Sequence, residues 1–133
     1  MKIKGLRLLI TAITLSFGLN SFSQGTIVGK WQHKDDNIIE IYKYGDRYYG
    51  KFVWVKDHSD WKDKLLVSGA VYKTENNAYE GGAIIDPDNG KVYDLKMWVE
   101  GDNNILRYGS NYILKLRGSA DLTSKVLEYT RIQ

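Results

Sequence analysis

The sequence is most informative in what it lacks: it has no cysteine, one proline and two histidines among 133 residues. Without cysteine there is no disulfide, no thiol nucleophile and no thiolate metal site. His33 and His58 are the only imidazole bases available to catalysis. The sequence also contains no Walker-type or dinucleotide-type glycine loop. We therefore expect no cofactor, no bound metal and no catalytic residues.

The charges give no basis for binding nucleic acid. Lys2, Lys4 and Arg7 supply the whole net charge of +3, so residues 24–133 hold 16 basic and 16 acidic residues. A protein that binds nucleic acid needs a basic excess to neutralise phosphates, so we expect no such partner. After residue 23, no apolar run is long enough to cross a membrane as a helix.

Residues 1–23 are predicted to be a signal peptide. A short basic segment precedes an apolar run at 8–19, which is too short to span a bilayer unaided. Ser21 and Ser23 then occupy the two positions that signal peptidase reads, so cleavage is expected after Ser23. The remaining residues, 24–133, are expected to form one domain. We expect it to be exported to the periplasm or the cell exterior, as a monomer.

Short segments of alternating polarity predict an all-β domain. Turn residues separate these segments, and only 59–65 resembles a helix, of one or two turns. About eight antiparallel strands favour a small closed up-and-down barrel or a two-sheet sandwich. In one strand, Tyr48, Gly50, Phe52 and Trp54 are expected to share a face. The predicted strands are 26–32, 37–43, 47–56, 65–73, the two arms of a hairpin at 79–100, 105–108, 112–117 and 125–132.

The predicted hairpin at 79–100 contains residues that are typical of a tight turn. Pro87 presets the backbone of the first central turn position, and Gly90 tolerates the positive φ that a hairpin turn needs. Gly81 and Gly82 predict a bulge or a close approach of backbones. The alternative reading of 86–90 as part of a calcium loop lacks the remaining ligands and the closing Glu.

The N-terminal Gly29-Lys30-Trp31 resembles the Gly-x-Trp signature that opens lipocalin barrels. This resemblance implies that Arg131, in the last strand, lies across Trp31 as a cation–π pair. The chain more closely resembles a family of small secreted bacterial proteins, domain of unknown function 2147. The matching motifs are Gly29-Lys30-Trp31, Tyr49-Gly50-Lys51, the hairpin at 79–93, Leu114-Lys115-Leu116-Arg117-Gly118 and Tyr129-Thr130-Arg131. The resemblance implies a lipocalin-like barrel and export, and no particular activity.

Weak catalytic and metal patterns are present. His58 lies among Asp57, Ser59 and Asp60, but the members of a catalytic triad normally converge from distant loops. His33 lies near Asp35 and Asp36 without a second pair of metal ligands. Two facing carboxylates for glycoside hydrolysis remain a distant alternative among 16 acidic residues.

Binding is the favoured function, through aromatic side chains at a barrel mouth. Tyrosine and tryptophan offer a flat apolar body with a polar tip, which suits a small amphipathic or apolar ligand. If the barrel is solid, the alternative is an outer surface that binds an envelope protein or polysaccharide. In the first case, changing either histidine should leave affinity unchanged. The candidate ligand-binding residues are Tyr48, Trp54, Tyr72, Tyr79, Trp98 and Tyr108.

Overall fold

The computed structural model describes residues 27–101 and 112–132. This part of the chain contains eight β-strands and one 3₁₀ turn, Ser59–Trp61, which lies between the third and fourth strands. The strands are β1 (Gly29–His33), β2 (Asn37–Tyr44), β3 (Arg47–Val55), β4 (Leu65–Lys73), β5 (Ala78–Ile85), β6 (Val92–Gly101), β7 (Tyr112–Ala120) and β8 (Thr123–Arg131).

The strands form a closed up-and-down barrel. Each pairs antiparallel with the next, and β8 pairs with β1, so the barrel is confirmed over the sandwich. Alternating strand direction gives the barrel two distinct ends. The closed end carries the start of β1, the β2–β3 and β4–β5 turns and the end of β8. The loop end carries the β1–β2, β3–β4, β5–β6 and β7–β8 connections.

Most predicted elements are confirmed, and three predictions lie outside the described residues. The predicted helix at 59–65 is a single 3₁₀ turn, Ser59–Trp61. The first strand begins at Gly29 rather than at residue 26. The signal peptide at 1–23, the strand at 105–108 and the candidate residue Tyr108 lie outside the described residues.

The prediction that Trp54 shares a strand face with Tyr48 and Phe52 is wrong. Ile38 pairs with Trp54 and Ile39 pairs with Phe52, so Val53 is an extra residue in β3. This β-bulge reverses the side-chain alternation beyond it. Trp54 is consequently on the outer wall and 43% exposed, whereas Val55 is buried.

The glycine predictions in the hairpin are confirmed. The β5–β6 register shifts between Glu80 and Ala83, which places a bulge at Gly81 and Gly82. A Cβ on Gly82 would lie 2.5 Å from the backbone oxygen of Ser68, so the strands approach closely there. Gly90 has φ of +76° and donates its N–H to the Asp86 carbonyl at 2.8 Å, closing the turn after Pro87.

Candidate functional site: a cavity at the loop end

The first and last strands are joined at the closed end by a cation–π pair. The guanidinium carbon of Arg131 lies 4.5 Å from the ring centre of Trp31, its cross-strand partner. Trp31 is fully buried and donates its indole N–H to the carbonyl of Ile27 at 2.9 Å. Arg131 donates to the carbonyl of Val28 at 3.2 Å, and burial lowers its pKa. The predicted contact of Trp31 with Arg131 is confirmed.

Three of the candidate ligand-binding residues meet at this closed end. The rings of Tyr48 and Tyr79 are 4.9 Å apart, and those of Tyr72 and Tyr79 are 5.0 Å apart. Tyr48 and Tyr79 are buried, and Tyr72 donates its hydroxyl hydrogen to Asn77 at 2.8 Å. These three tyrosines pack against one another at the closed end, and their rings contact each other rather than bordering the loop-end cavity.

The two candidate tryptophans lie elsewhere again, on the outer wall. Trp54 is turned outward by the bulge in β3. Trp98 lies on the outer face of β6, where its indole N–H donates to Glu100 at 2.8 Å. The ammonium nitrogen of Lys96 lies 5.8 Å from the ring centre of Trp98, and the guanidinium carbon of Arg117 lies 6.0 Å from it. The five candidate residues that the structure describes therefore do not form one rim.

A cavity of about 520 Å³ opens at the opposite, loop end. Its apolar wall comes from β3 to β8 and the 3₁₀ turn, and its polar wall comes from the end of β1, the β1–β2 turn and the starts of β2 and β8. Concave sites of this size and mixed lining are typical of small-ligand binding. The apolar wall includes Phe52, Trp61, Leu66, Ile84, Tyr93 and Leu127, and the polar wall includes His33, Asp36, Asn37, Thr123, Ser124 and Lys125.

A buried polar pair lies in the wall of this cavity. The Tyr129 hydroxyl donates to the side-chain oxygen of Asn37 at 2.9 Å, and both residues are buried. Asn37 Nδ2 lies 3.4 Å from an oxygen of Asp36. Burial raises the pKa of Tyr129, so the phenol stays protonated and acts as a hydrogen-bond donor. This pair gives an apolar cavity one fixed position for a polar group.

His33 and Trp61 complete the cavity wall. The His33 ring lies 5.1 Å from that of Tyr129, and its Nδ1 donates to the carbonyl of Glu128 at 2.9 Å. A carbonyl only accepts, so this contact requires the proton on Nδ1. Trp61 stacks on His58 with ring centres 4.0 Å apart. His33, at the end of β1, is thus a wall residue of the cavity.

Weak metal-binding patterns lie at His33 with Asp35 and Asp36, and in the turn at 86–90. Among residues 27–101 and 112–132, no group of three His, Asp or Glu side chains could hold a metal ion. The turn at 86–90 uses its oxygens internally, because Asp86 Oδ1 accepts from the N–H of Asp88 and Asn89 Oδ1 accepts from that of Lys91. The hairpin reading of this segment is therefore confirmed over the calcium loop.

Sequence reasoning missed most of this site. Asn37 and Tyr129 are 92 residues apart and meet only because the barrel closes. One signal was available: Tyr129 belongs to the C-terminal motif Tyr129-Thr130-Arg131, whose Arg131 was assigned correctly. Trp61 lies in the 3₁₀ turn, and the helix-like pattern at 59–65 gives no sign that this residue borders a cavity.

The family model described as an uncharacterized protein conserved in bacteria (DUF2147) matches residues 29–123. The chain belongs to this family. A search of curated proteins gives no significant match. Within the described residues, no helix is long and apolar enough to cross a membrane.

The barrel is also similar to a solved structure from the human pathogen Helicobacter pylori. That protein, HP1028, is described as belonging to the lipocalin family. The sequences are 16% identical, and the match covers 80% of this chain and 83% of the other with a TM-score of 0.58. The similarity confirms a lipocalin-like fold.

Proposed function

We propose that the protein is an exported, non-enzymatic binding protein whose ligand enters the loop-end cavity. The observation that carries this proposal is the open cavity of about 520 Å³ with apolar walls and the buried Asn37–Tyr129 pair. Apolar walls favour burial of an apolar group, and the pair favours one hydrogen-bonding group beside it. The ligand is accordingly amphipathic.

Membership in a lipocalin-like family supports this proposal at the level of the fold. The absence of a basic excess in residues 24–133 supports a small or neutral ligand over a polyanion. Burial keeps Tyr129 protonated at neutral pH, so in the Asn37–Tyr129 pair the phenol acts as a hydrogen-bonding group and not as a base. Binding is thus better supported than hydrolysis.

The proposal is tested on full-length protein expressed with its leader. Export predicts a mature N-terminus at or near Gln24, read by intact-mass analysis of the exported fraction. Native mass spectrometry of the same fraction should show a bound molecule that is released by organic solvent. A protein that stays uncut in the cytoplasm would contradict export. A protein that neither carries a ligand nor binds the apolar dye anilinonaphthalene sulfonate would contradict binding.

A second candidate uses the outer wall of β2 and β3 to bind an envelope protein or polysaccharide. The observation that favours it is an aromatic surface there: Tyr42 and Tyr49 stack at 5.8 Å, and Tyr44 and Trp54 are 76% and 43% exposed. This candidate was tied to a solid barrel interior, and the cavity makes it the weaker of the two. Replacing Trp54 with Ala should leave dye binding unchanged if the cavity is the site.

A further inference from the structure

Among the described residues, one stretch of β8 has a strand neighbour on one side only. β8 pairs with β7 from Thr123 to Thr130, but its pairing with β1 covers only Thr130 and Arg131. β1 ends at His33, so residues 123–128 of β8 extend beyond it toward the loop end. In the described part of the chain, no backbone group pairs with this side of the stretch. At strand spacing the open edge is about 20 Å long.

The backbone groups that face this open side can be assigned. Thr130 pairs with Gln32 of β1, Ile132 donates to Lys30, and the carbonyl of Glu128 accepts from the His33 ring. Both backbone groups of a strand residue point the same way, and the direction alternates along the strand. The backbone groups that face the open side are therefore the N–H groups of Ser124, Val126 and Glu128 and the carbonyls of Ser124 and Val126.

This edge runs along the cavity. Thr123, Ser124, Lys125 and Leu127 line the cavity from β8, and Asp36 and Asn37 line it from the β1–β2 connection. The open edge thus forms one margin of a side entrance between the β7–β8 hairpin and the β1–β2 turn. On the outer face of the same hairpin, Val126 is 44% exposed and Leu122 is fully exposed. An added strand would cover part of this apolar surface.

We propose that the cavity's ligand is an extended polypeptide segment that adds to the open edge of β8. Only an extended backbone repeats donors and acceptors at the spacing of this edge. In such a strand every second side chain points to the face of Lys125 and Leu127, which is the cavity side. One apolar side chain then enters the space bounded by Phe52, Leu66 and Ile84. This inference rests on the proposed function, because it takes the cavity as the binding site.

The N-terminal residues of the mature chain are a poor source for this strand. After cleavage at the expected position, three residues precede Ile27, which lies at the closed end, and three residues span only about 10 Å. A second copy of the barrel pairing edge to edge is the competing occupant, and the test separates it. The partner is accordingly a segment of another protein with apolar residues at alternate positions.

The test begins with a displayed library of random nonapeptides selected on the mature protein. Selected sequences should carry apolar residues at alternate positions. When the protein is saturated with a synthetic copy of a selected peptide, the amides of Val126 and Glu128 should exchange hydrogen at least about tenfold more slowly. A peptide N-methylated at the amides that face β8 should lose binding, whereas one methylated at the intervening amides should retain it. This readout uses the unmodified protein.

A pair of variants addresses the same point from the protein side. Val126→Pro removes an N–H that faces the open side and leaves the β7 ladder intact, so peptide affinity should fall at least about tenfold. Val126→Thr keeps the N–H and should bind normally. Equal losses in both variants would show that the Val126 side chain, and not the backbone edge, makes the contact, and would overturn the inference.

Two further results would overturn strand addition. One is a library that yields no binding peptide, or peptides that bind without slowing exchange at Val126. The other is edge amides already protected in a self-associated protein, which would assign the edge to a second copy. In either case anilinonaphthalene sulfonate binding reports separately on the proposed function. Dye bound in the cavity leaves that function standing while the peptide proposal fails.

Discussion

The two ends of this barrel use aromatic residues in opposite ways. At the closed end, Tyr48 packs against Tyr79, and both are buried in the core with Trp31, so their area stabilises the fold. At the loop end, Phe52, Trp61 and Tyr93 border an open cavity. Aromatic composition therefore indicates little about binding until the strand ends at which the rings lie are known.

The largest expected difference between the ends is in the cost of removing a leucine. Leu114→Ala, in the filled part of the barrel, should lower the free energy of unfolding by about 3 kcal/mol, since a cavity opens in packed surroundings. Leu127→Ala, on the cavity wall, should cost less than about 1.5 kcal/mol, since that side chain already borders open space. Denaturant unfolding checks both. Equal costs would mean that the loop end is as tightly packed as the closed end.

The next effect concerns the closed end alone. Arg131→Ala should cost about 1–2 kcal/mol through loss of the cation–π contact with Trp31 and of packing by the arginine stem. Arg131→Lys keeps the charge and should recover part of that loss. Ligand affinity at the loop end should be the same in both variants. A change in affinity would show that the two ends are coupled.

The loop-end turn gives a smaller, more local effect. Gly90→Val should cost at least about 1 kcal/mol, because φ of +76° is strained for a branched side chain although space is free around it. Lys91→Val beside it should be nearly neutral, because valine suits an extended backbone. Melting temperatures of the two variants give the comparison. If they coincide, the positive φ at Gly90 is not costly.

The smallest effect is a pH dependence at the Asn37–Tyr129 pair. Burial raises the pKa of Tyr129 above its usual value of 10.0, so the folded state keeps the proton more tightly than the unfolded state. The contribution of Tyr129 to the free energy of unfolding is complete below pH 10 and falls as the pH rises above 10. Tyr129→Phe should flatten the decline in stability between pH 9 and about 11, measured by thermal unfolding. If the slope of stability against pH is the same in the variant, Tyr129 does not cause the decline.

Much of the fold was predictable from local patterns. The hairpin at 79–100, with Gly81, Gly82, Pro87 and Gly90, has sequence signals for both its bulge and its turn, and each is confirmed. The Trp31–Arg131 contact followed from the family resemblance. In β6, the shared inward face of Tyr93, Leu95, Met97 and Val99 followed from simple alternation.

The site was less predictable because it depends on relations between distant strands. The bulge at Val53 contains no glycine, so no residue in the sequence predicts it. This bulge alone moves Trp54 to the outer wall. The contact of Asn37 with Tyr129 forms only on barrel closure. Which end stays open depends on how side chains from all eight strands fill the interior, and no local pattern contains that information.

The central claim, that ligand binds at the loop end, is tested most directly by titrating the isotope-labelled mature protein with anilinonaphthalene sulfonate and mapping the NMR shift changes. The account predicts changes clustered at Phe52, Leu66, Tyr93 and Tyr129, with Tyr48, Tyr72 and Tyr79 unaffected. Changes clustered at the closed-end tyrosines, or along the outer wall at Trp54 and Trp98, would contradict it.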